Sequence, residues 1–151
     1  MRGAIVFIAC FAVAHACRCA NRTPPLKEQF CNSNFVTHAK VTKKDVAGNL
    51  IYYDLEYEEV YKVDKPKDMP RNLWLPNEVY TGLEEKYCGV PNLEIGKEYL
   101  IGGPLVWYYD HVTMFFTQCN LIKNWTEVSE QMKNHKKFNC EIETEEPIFY
   151  E

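Results

Sequence analysis

Stretches in which hydrophobic and polar residues alternate dominate the middle of the chain. Residues 35–41 place apolar side chains and threonine on one side and His38 and Lys40 on the other. Residues 50–61 alternate tyrosine and leucine with aspartate and glutamate, and Gly48-Asn49 precedes them as a turn. A period of two residues is typical of β-strands with one buried face. The pattern therefore predicts two strands, the second with a solvent-facing side.

Further strands are predicted in the second half of the chain. Residues 64–70, with two prolines and alternating charges, form a predicted loop before them, and Asp110-His111 is the predicted turn of a hairpin. Five or six short strands favour a small barrel over a sandwich because the chain is short. These further strands are an interrupted one around Pro76, with Leu73, Leu75 and Val79, and those at residues 99–101, 105–109 and 112–117.

One helix is predicted after these strands. Asn124 belongs to the residue types favoured at N-caps, and Glu127 follows three positions later, as in a capping box. Residues 141–151 form an acidic tail that is expected to fray. The apolar stripe at helical spacing consists of Trp125, Val128, Met132 and His135.

Residues 1–16 have the pattern of a secretion signal. Arg2 gives a short basic start, residues 4–13 form an apolar run, and Ala14-His15-Ala16 has the small–x–small pattern of a cleavage site. The run is too short to span a bilayer. We expect cleavage after Ala16, export of the mature chain (residues 17–151) and no membrane insertion. The alternative is an N-terminal core helix in a protein that is not exported.

The chain contains seven cysteines, an odd number. Cleavage removes Cys10, and the even set that remains in an exported chain indicates disulfides. Fifteen pairings are open to six cysteines. Pairing early cysteines with late ones would close loops of roughly 70 to 110 residues, worth at most about 4–5 kcal/mol each in the chain-entropy model. The six are Cys17, Cys19, Cys31, Cys88, Cys119 and Cys140.

Charge and histidine spacing disfavour two classes of function. The net charge is −4 and becomes −5 once Arg2 is removed, so no basic surface is expected to bind nucleic acid. His38, His111 and His135 lack the spacing of a metal site, and no glycine-rich phosphate loop or nucleophile elbow occurs. Cys17-x-Cys19 is at most half of a zinc site. An enzyme is therefore disfavoured.

Segments around the cysteines carry a resemblance to a known family. The mature chain begins Cys17-Arg18-Cys19, and Cys31-Asn32-Ser33 leads into the first predicted strand. Tyr87-Cys88-Gly89, residues 98–103 and Thr117-Gln118-Cys119 continue the similarity, followed by Trp125 and Cys140. These motifs resemble the N-terminal domain of the tissue inhibitors of metalloproteinases, a branch of the netrin-like family. The resemblance covers nearly the whole mature chain.

The resemblance implies a fold and a disulfide pairing. The fold would be mainly β, a five-stranded OB-fold barrel of the netrin-like type with flanking helices. Only the N-terminal domain of the family would be present, as a single inhibitor domain at residues 17–140, and the protein would be a monomer without a cofactor. The implied bridges are Cys17–Cys88, Cys19–Cys119 and Cys31–Cys140.

The resemblance also implies a mechanism. In this family the new N-terminus binds zinc, so the α-amine and carbonyl oxygen of Cys17 would chelate the catalytic zinc of a secreted or membrane-bound metalloprotease. Arg18 stands where the family usually has a small hydroxyl residue. A guanidinium loses hydration in a deep apolar pocket unless a carboxylate meets it. The implied protease contacts are Cys17, Arg18, Cys19, Ala20, Lys86, Tyr87, Cys88 and Gly89.

Two sequons and an aromatic cluster complete the candidate sites. Asn21-Arg22-Thr23 and Asn124-Trp125-Thr126 are acceptor sequons for N-glycosylation, the first of them close to the implied contacts. The alternative function is a secreted netrin-like binding or immunomodulatory module that does not inhibit proteases. It would use aromatic surface such as residues 107–109, which also suit a strand core.

Overall fold

The computed structural model describes residues 17, 19, 24–65, 67, 69, 74–108, 111–134, 138 and 140. Strands account for most of the regular structure, and single 3-10 turns lie at Glu85–Tyr87 and Trp125–Glu127. The other elements are α1 (Leu26–Asn32), β1 (Phe35–Ala47), β2 (Leu50–Val63), β3 (Glu78–Gly82), β4 (Glu98–Gly103), β5 (Leu105–Tyr108), β6 (His111–Phe115), β7 (Leu121–Asn124) and α2 (Glu130–Asn134).

The seven strands form one sheet in the order β5-β6-β3-β2-β1-β4-β7. Neighbouring strands are antiparallel except for β3 and β6, which are parallel. Only Pro104 separates β4 from β5, although β4 pairs with β1 near one end of the sheet and β5 lies at the other end. The mainly β class with flanking helices is confirmed, with seven strands where five were expected. A closed barrel remains a prediction, which the short connection at Pro104 supports.

The ladder between β1 and β2 contains three irregularities. Both strands and the Gly48-Asn49 turn form as predicted, and Gly48 has a φ of +60°, which glycine adopts without strain. The residues left unpaired are Thr42 on β1 and Glu58 and Tyr61 on β2. Each extra residue changes the face on which the following side chains lie. The two strands can therefore contribute to two separate cores.

Two hydrophobic clusters pack against the strands. The larger one contains Phe35, Tyr53 and Phe116, all fully buried. The smaller one lies beneath α1 and the segment after β7, and contains Val36 and Leu100. Along β2, Tyr57 packs against the larger cluster and Tyr61 belongs to the smaller one, because the extra residue Glu58 lies between them.

The prediction that β1 has a polar side is wrong at His38. The side chain is buried, and its ring stacks on Trp125 with 3.6 Å between the ring centroids. Its Nε2 donates a hydrogen bond of 2.9 Å to Oε2 of Glu98. A two-residue period cannot reveal this environment, because the side chain that covers His38 comes from the other end of the chain.

The C-terminal end of α1 is fixed by a disulfide and by a hydrogen bond from Lys62. Cys31 is bonded to Cys140 with the Cα atoms 5.4 Å apart, and Phe30 meets the ring of Phe138 edge to face at 5.2 Å. The Lys62 ammonium donates 2.7 Å to the carbonyl oxygen of Cys31 and lies 3.0 Å from the carboxylate of Asp64. A cation at the C-terminus of a helix is favourable because the last carbonyl groups lack helical partners.

The single helix predicted from Asn124 is instead divided into two elements. Asn124 does cap, but it caps a single 3-10 turn, and α2 begins only at Glu130. The hydroxyl oxygen of Ser129 accepts a hydrogen bond of 3.3 Å from the backbone N–H of Met132, so α2 has its own cap. Within the predicted stripe, the buried residues are Val128 and Met132, Trp125 is half-buried, and His135 lies outside the described residues.

Other element boundaries also differ from the predicted ones. The interrupted strand starts at Glu78, beyond Pro76, because proline donates no ladder hydrogen bond. Tyr108 pairs with His111, so His111 belongs to β6 and not to the turn. The pattern missed α1 and β7, which are short. The described positions of the predicted loop 64–70 contain no helix or strand. The other predictions fall partly on positions outside the described residues: residues 1–16, Leu73, Asp110 and residues 141–151.

Candidate functional site

Two disulfides attach Cys17 and Cys19 to two different loops. Cys17 is bonded to Cys88, in the loop between β3 and β4, with the Cα atoms 4.9 Å apart. Cys19 is bonded to Cys119, in the loop between β6 and β7, with a Cα separation of 5.4 Å. The Sγ atoms of Cys17 and Cys119 are only 3.8 Å apart. We call Cys17, Cys19 and residues 84–89 and 117–120 the ridge.

The 84–89 part of the ridge is a tight turn closed by its own backbone. The N–H groups of Tyr87 and Gly89 both donate to the carbonyl oxygen of Glu84, at 3.0 and 3.1 Å. Cys88 donates 2.9 Å to Glu85 and has a φ of +63°, the left-handed conformation that ends the turn. The turn therefore holds Cys88 in the orientation in which it bonds to Cys17.

Gly89 lies where the turn passes close to the end of β3. A Cβ atom at this position would overlap the carbonyl group of Gly82 and lie 2.9 Å from the carbonyl oxygen of Glu84. The next residue, Val90, donates its N–H to the buried hydroxyl of Thr81 at 3.0 Å. Only glycine fits this approach of two backbone segments, so packing requires Gly89 after Cys88.

We expect Gly89→Ala to lower the free energy of unfolding by about 2–3 kcal/mol, because the new methyl group must displace backbone. Gly82→Ala is the matched control: its Cβ would meet Gly89 at 3.4 Å, an ordinary contact, so it should change stability by less than about 1 kcal/mol. Urea unfolding of the two oxidised variants measures both values. Equal stabilities for the two variants would contradict the close approach at Gly89.

Gln118 joins the two loops of the ridge. Its backbone N–H donates 2.9 Å to the carbonyl oxygen of Cys88, and its side-chain amide donates 2.8 Å to the carbonyl oxygen of Gly89. The side-chain oxygen of Asn120 accepts from the N–H of Thr117 at 2.7 Å and keeps the second loop tight. Both loops and both disulfides thus form one connected unit.

The exposed surface of the ridge is aromatic and carries charges of both signs. Tyr87 is 70% exposed. The Lys86 ammonium lies 2.6 Å from a carboxylate oxygen of Glu84 and 4.9 Å from the centre of the Tyr87 ring. The hydrogen bond from Lys86 to Glu84, and then the charge of that carboxylate, raise the pKa of Lys86 above its usual value. Lys86 is therefore a cation across the physiological pH range.

The structure brings together most of the residues implied to contact a protease. Cys17, Cys19 and residues 86–89 form one continuous region. Arg18, Ala20 and the sequon residue Asn21 lie outside the described residues. Sequence reasoning missed Gln118 and Glu84 as members of the site, although Gln118 stands directly before Cys119.

The sulfur atoms of the ridge do not form a metal site. Cys17, Cys19 and Cys119 have their sulfur atoms within 4.8 Å of one another. All three are engaged in disulfides, and only a thiolate is a strong zinc ligand. In the part of the chain that the structure describes, this is the one cluster of at least three cysteine, histidine or acidic residues with such spacing.

Exposed aromatic residues occur away from the ridge as well. Trp107 is 37% exposed on β5, beside the exposed Val106, and Trp74 is 90% exposed before β3. The aromatic cluster proposed at residues 107–109 is therefore accessible at Trp107, whereas the side chain of Tyr108 and all of Tyr109 lie outside the described residues. None of the helices among the described residues is long and apolar enough to cross a membrane.

Comparison with known proteins identifies similar sequences. The profile of the UNC-6/NTR/C345C module matches residues 28–137. The putative metalloproteinase inhibitor tag-225 of Caenorhabditis elegans is 33% identical over 110 residues, which cover 66% of this chain and 65% of that protein. Metalloproteinase inhibitor 3 of Xenopus laevis is 32% identical over 121 residues, 77% of this chain and 50% of that protein. The chain thus spans less than two thirds of each relative.

Proposed function

The chain belongs to the UNC-6/NTR/C345C module family, and on that basis we propose that it is a secreted inhibitor of zinc metalloendopeptidases and not itself an enzyme. Two relatives that are named as metalloproteinase inhibitors support the proposal. The observation that carries it is the disulfide that joins Cys17 to Cys88, in the turn at residues 84–89. Once residues 1–16 are removed, this bond would hold the residue with the new α-amine at the turn formed by residues 84–89, which includes the exposed Tyr87.

The α-amine and carbonyl oxygen of Cys17 are the groups that would bind the protease. They belong to one residue and can form a five-membered chelate with the catalytic zinc, in place of the water that attacks the substrate. The amine binds only when neutral, and an unperturbed α-amine has a pKa of about 7.7–8.0. Binding should therefore strengthen as the pH rises toward that value and level off above it.

The ridge keeps the chelating residue in place before the protease arrives. The Cys17–Cys88 bond fixes the side chain, and the Cys19–Cys119 bond fixes the chain two residues later. Gln118 prevents the two loops from separating, because it donates to both Cys88 and Gly89. A group that is ordered before binding loses little conformational entropy on binding.

Arg18 is the residue proposed to select among proteases. It lies between the two disulfide-bonded cysteines and would enter the pocket next to the zinc on the primed side. A buried guanidinium without a partner costs on the order of several kcal/mol, whereas a carboxylate in the pocket offsets this cost. Preferred targets should therefore have a wide or acidic pocket.

The proposal is tested by measuring inhibition of a panel of zinc metalloendopeptidases by the mature protein. The panel should include enzymes with narrow apolar pockets and enzymes with wide or acidic ones, and a serine protease serves as the control. We expect inhibition at or below micromolar concentration, strongest for the second group. Inhibition of no metalloprotease at that concentration would overturn the proposal and favour the non-inhibitory binding module, for which Trp107 and Trp74 are exposed.

A further inference from the structure

Asn124 ends the strand at one edge of the sheet. β7 is last in the strand order, and Asn124 pairs with Tyr99 of β4 on the inner side. Among the described residues, β7 forms no other ladder. The sequon Asn124-Trp125-Thr126 therefore lies at an open edge, and Thr126 is exposed.

The capping role of Asn124 uses only one of its two side-chain groups. Its Oδ1 accepts hydrogen bonds from the backbone N–H of Thr126 at 3.1 Å and from the hydroxyl of Thr126 at 2.7 Å. The amide nitrogen Nδ2 has no hydrogen bond to any described residue. A sugar is attached to Nδ2, so the cap and the modification do not compete for the same atom.

We propose that Asn124 carries an N-linked oligosaccharide in the exported protein and that this glycan leaves the ridge free. The donor is an oligosaccharide linked to a lipid through pyrophosphate. The Nδ2 atom bonds to the first sugar carbon, the bond from that carbon to the pyrophosphate oxygen breaks, and the lipid pyrophosphate leaves with the electron pair. The proton lost from Nδ2 passes to a base of the transferase. After folding, Oδ1 still accepts both hydrogen bonds from Thr126.

The position of Asn124 separates the glycan from the inhibitory surface. Leu121 begins β7 directly after the ridge residues 117–120, whereas Asn124 ends the strand, roughly 10 Å further along at the usual rise per residue. The glycan would also cover the open edge of β7, where unpaired backbone groups could pair with a second chain. That the glycan leaves an inhibitory ridge free rests on the proposed function, whereas the modification of Asn124 itself does not.

To test the proposal, the full chain is expressed in cultured eukaryotic cells, and the protein is analysed in both the medium and the cell lysate. An amidase that releases N-glycans converts a glycosylated asparagine to aspartate, which mass spectrometry of the peptide around residue 124 detects. We expect this conversion at Asn124 in the exported protein. Unmodified Asn124 in both pools would overturn the proposal.

Asn124→Asp is the matched variant, because aspartate keeps an oxygen for the cap and removes the amide that takes the sugar. It should lose one glycan and retain the stability of the unglycosylated protein. Asn21→Gln shows which part of the total glycan belongs to the other sequon. We expect Asn124→Asp to inhibit metalloproteases within about twofold of the glycosylated protein, a free-energy difference below about 0.5 kcal/mol.

A gain of inhibition of tenfold or more in Asn124→Asp would show that the glycan obstructs the ridge, and would overturn that part of the proposal. Absence of inhibition in both proteins would contradict the proposed function only. The mass of the peptide would still decide whether Asn124 is modified, so the two failures are distinguishable.

Discussion

A mature protein with one extra alanine before Cys17 should inhibit metalloproteases at least about a hundredfold more weakly than the natural form, a loss of about 2.7 kcal/mol of binding free energy. The added residue converts the α-amine of Cys17 into an amide, whose nitrogen lone pair is delocalised and does not bind zinc. The extra residue would also occupy the space that the metal needs. The measurement is the inhibition constant of both forms against the most sensitive protease of the panel.

The matched control carries the extra alanine after Glu151, which leaves the α-amine of Cys17 unchanged. Both forms should unfold at the same urea concentration as the natural protein, because neither addition touches the disulfides or Gln118. Equal inhibition by the N-terminally extended and natural forms would show that the amine does not contact zinc. The inhibitor proposal could then survive only with a different mechanism.

The strands were predictable where one face is buried and the other is exposed to solvent. The alternation in residues 50–61 predicts β2 because Tyr53 and Leu55 enter one core while Glu56 stays exposed. The same reasoning failed at His38, whose polar side chain is buried against Trp125 and Glu98. A period along one strand describes a single core, and β1 contributes to two.

The helical elements were predicted less well because their ends depend on local caps. Asn124 has its predicted capping bond, but the helix stops after one 3-10 turn and a new cap forms at Ser129. α1 follows Pro25 without any side-chain cap, so the sequence contained no capping signal that would predict this helix. A seven-residue helix is held by its contacts, here the packing of Phe30 and the disulfide at Cys31.

In the candidate site, too, residues within a local motif were predictable, whereas contacts between distant parts of the chain were not. The sequence alone pointed to Gly89 as a site residue, because it belongs to the Tyr87-Cys88-Gly89 motif that carries the family resemblance. The bonds from Gln118 to Cys88 and Gly89 join residues about thirty positions apart, and such contacts depend on the folded positions of two loops. Cysteine spacing left fifteen pairings open. The pairing in the structure equals the one that the family resemblance implies.

Removing either the Cys31–Cys140 bond at α1 or the Cys19–Cys119 bond of the ridge should lower the free energy of unfolding by at most about 4–5 kcal/mol, the chain-entropy value for an isolated loop of this length. The Cys31–Cys140 bond spans 109 positions and the Cys19–Cys119 bond spans 100. The logarithmic dependence on loop length makes their entropic contributions equal to within about 0.1 kcal/mol. The double serine variants of the two bonds are therefore matched in stability and differ in location.

Inhibition should separate these two variants although their stabilities do not. Cys31 lies at the end of α1 outside the ridge, so C31S/C140S should inhibit within about twofold of the natural protein under conditions where it is folded. C19S/C119S frees the chain beside Cys17 and should inhibit at least about tenfold more weakly, because the chelating residue must be ordered on binding. Urea unfolding followed by near-ultraviolet circular dichroism gives the stabilities and defines the folded range for the inhibition assay. Equal inhibition by both folded variants would mean that the Cys17–Cys88 bond and Gln118 hold the N-terminus without the second disulfide.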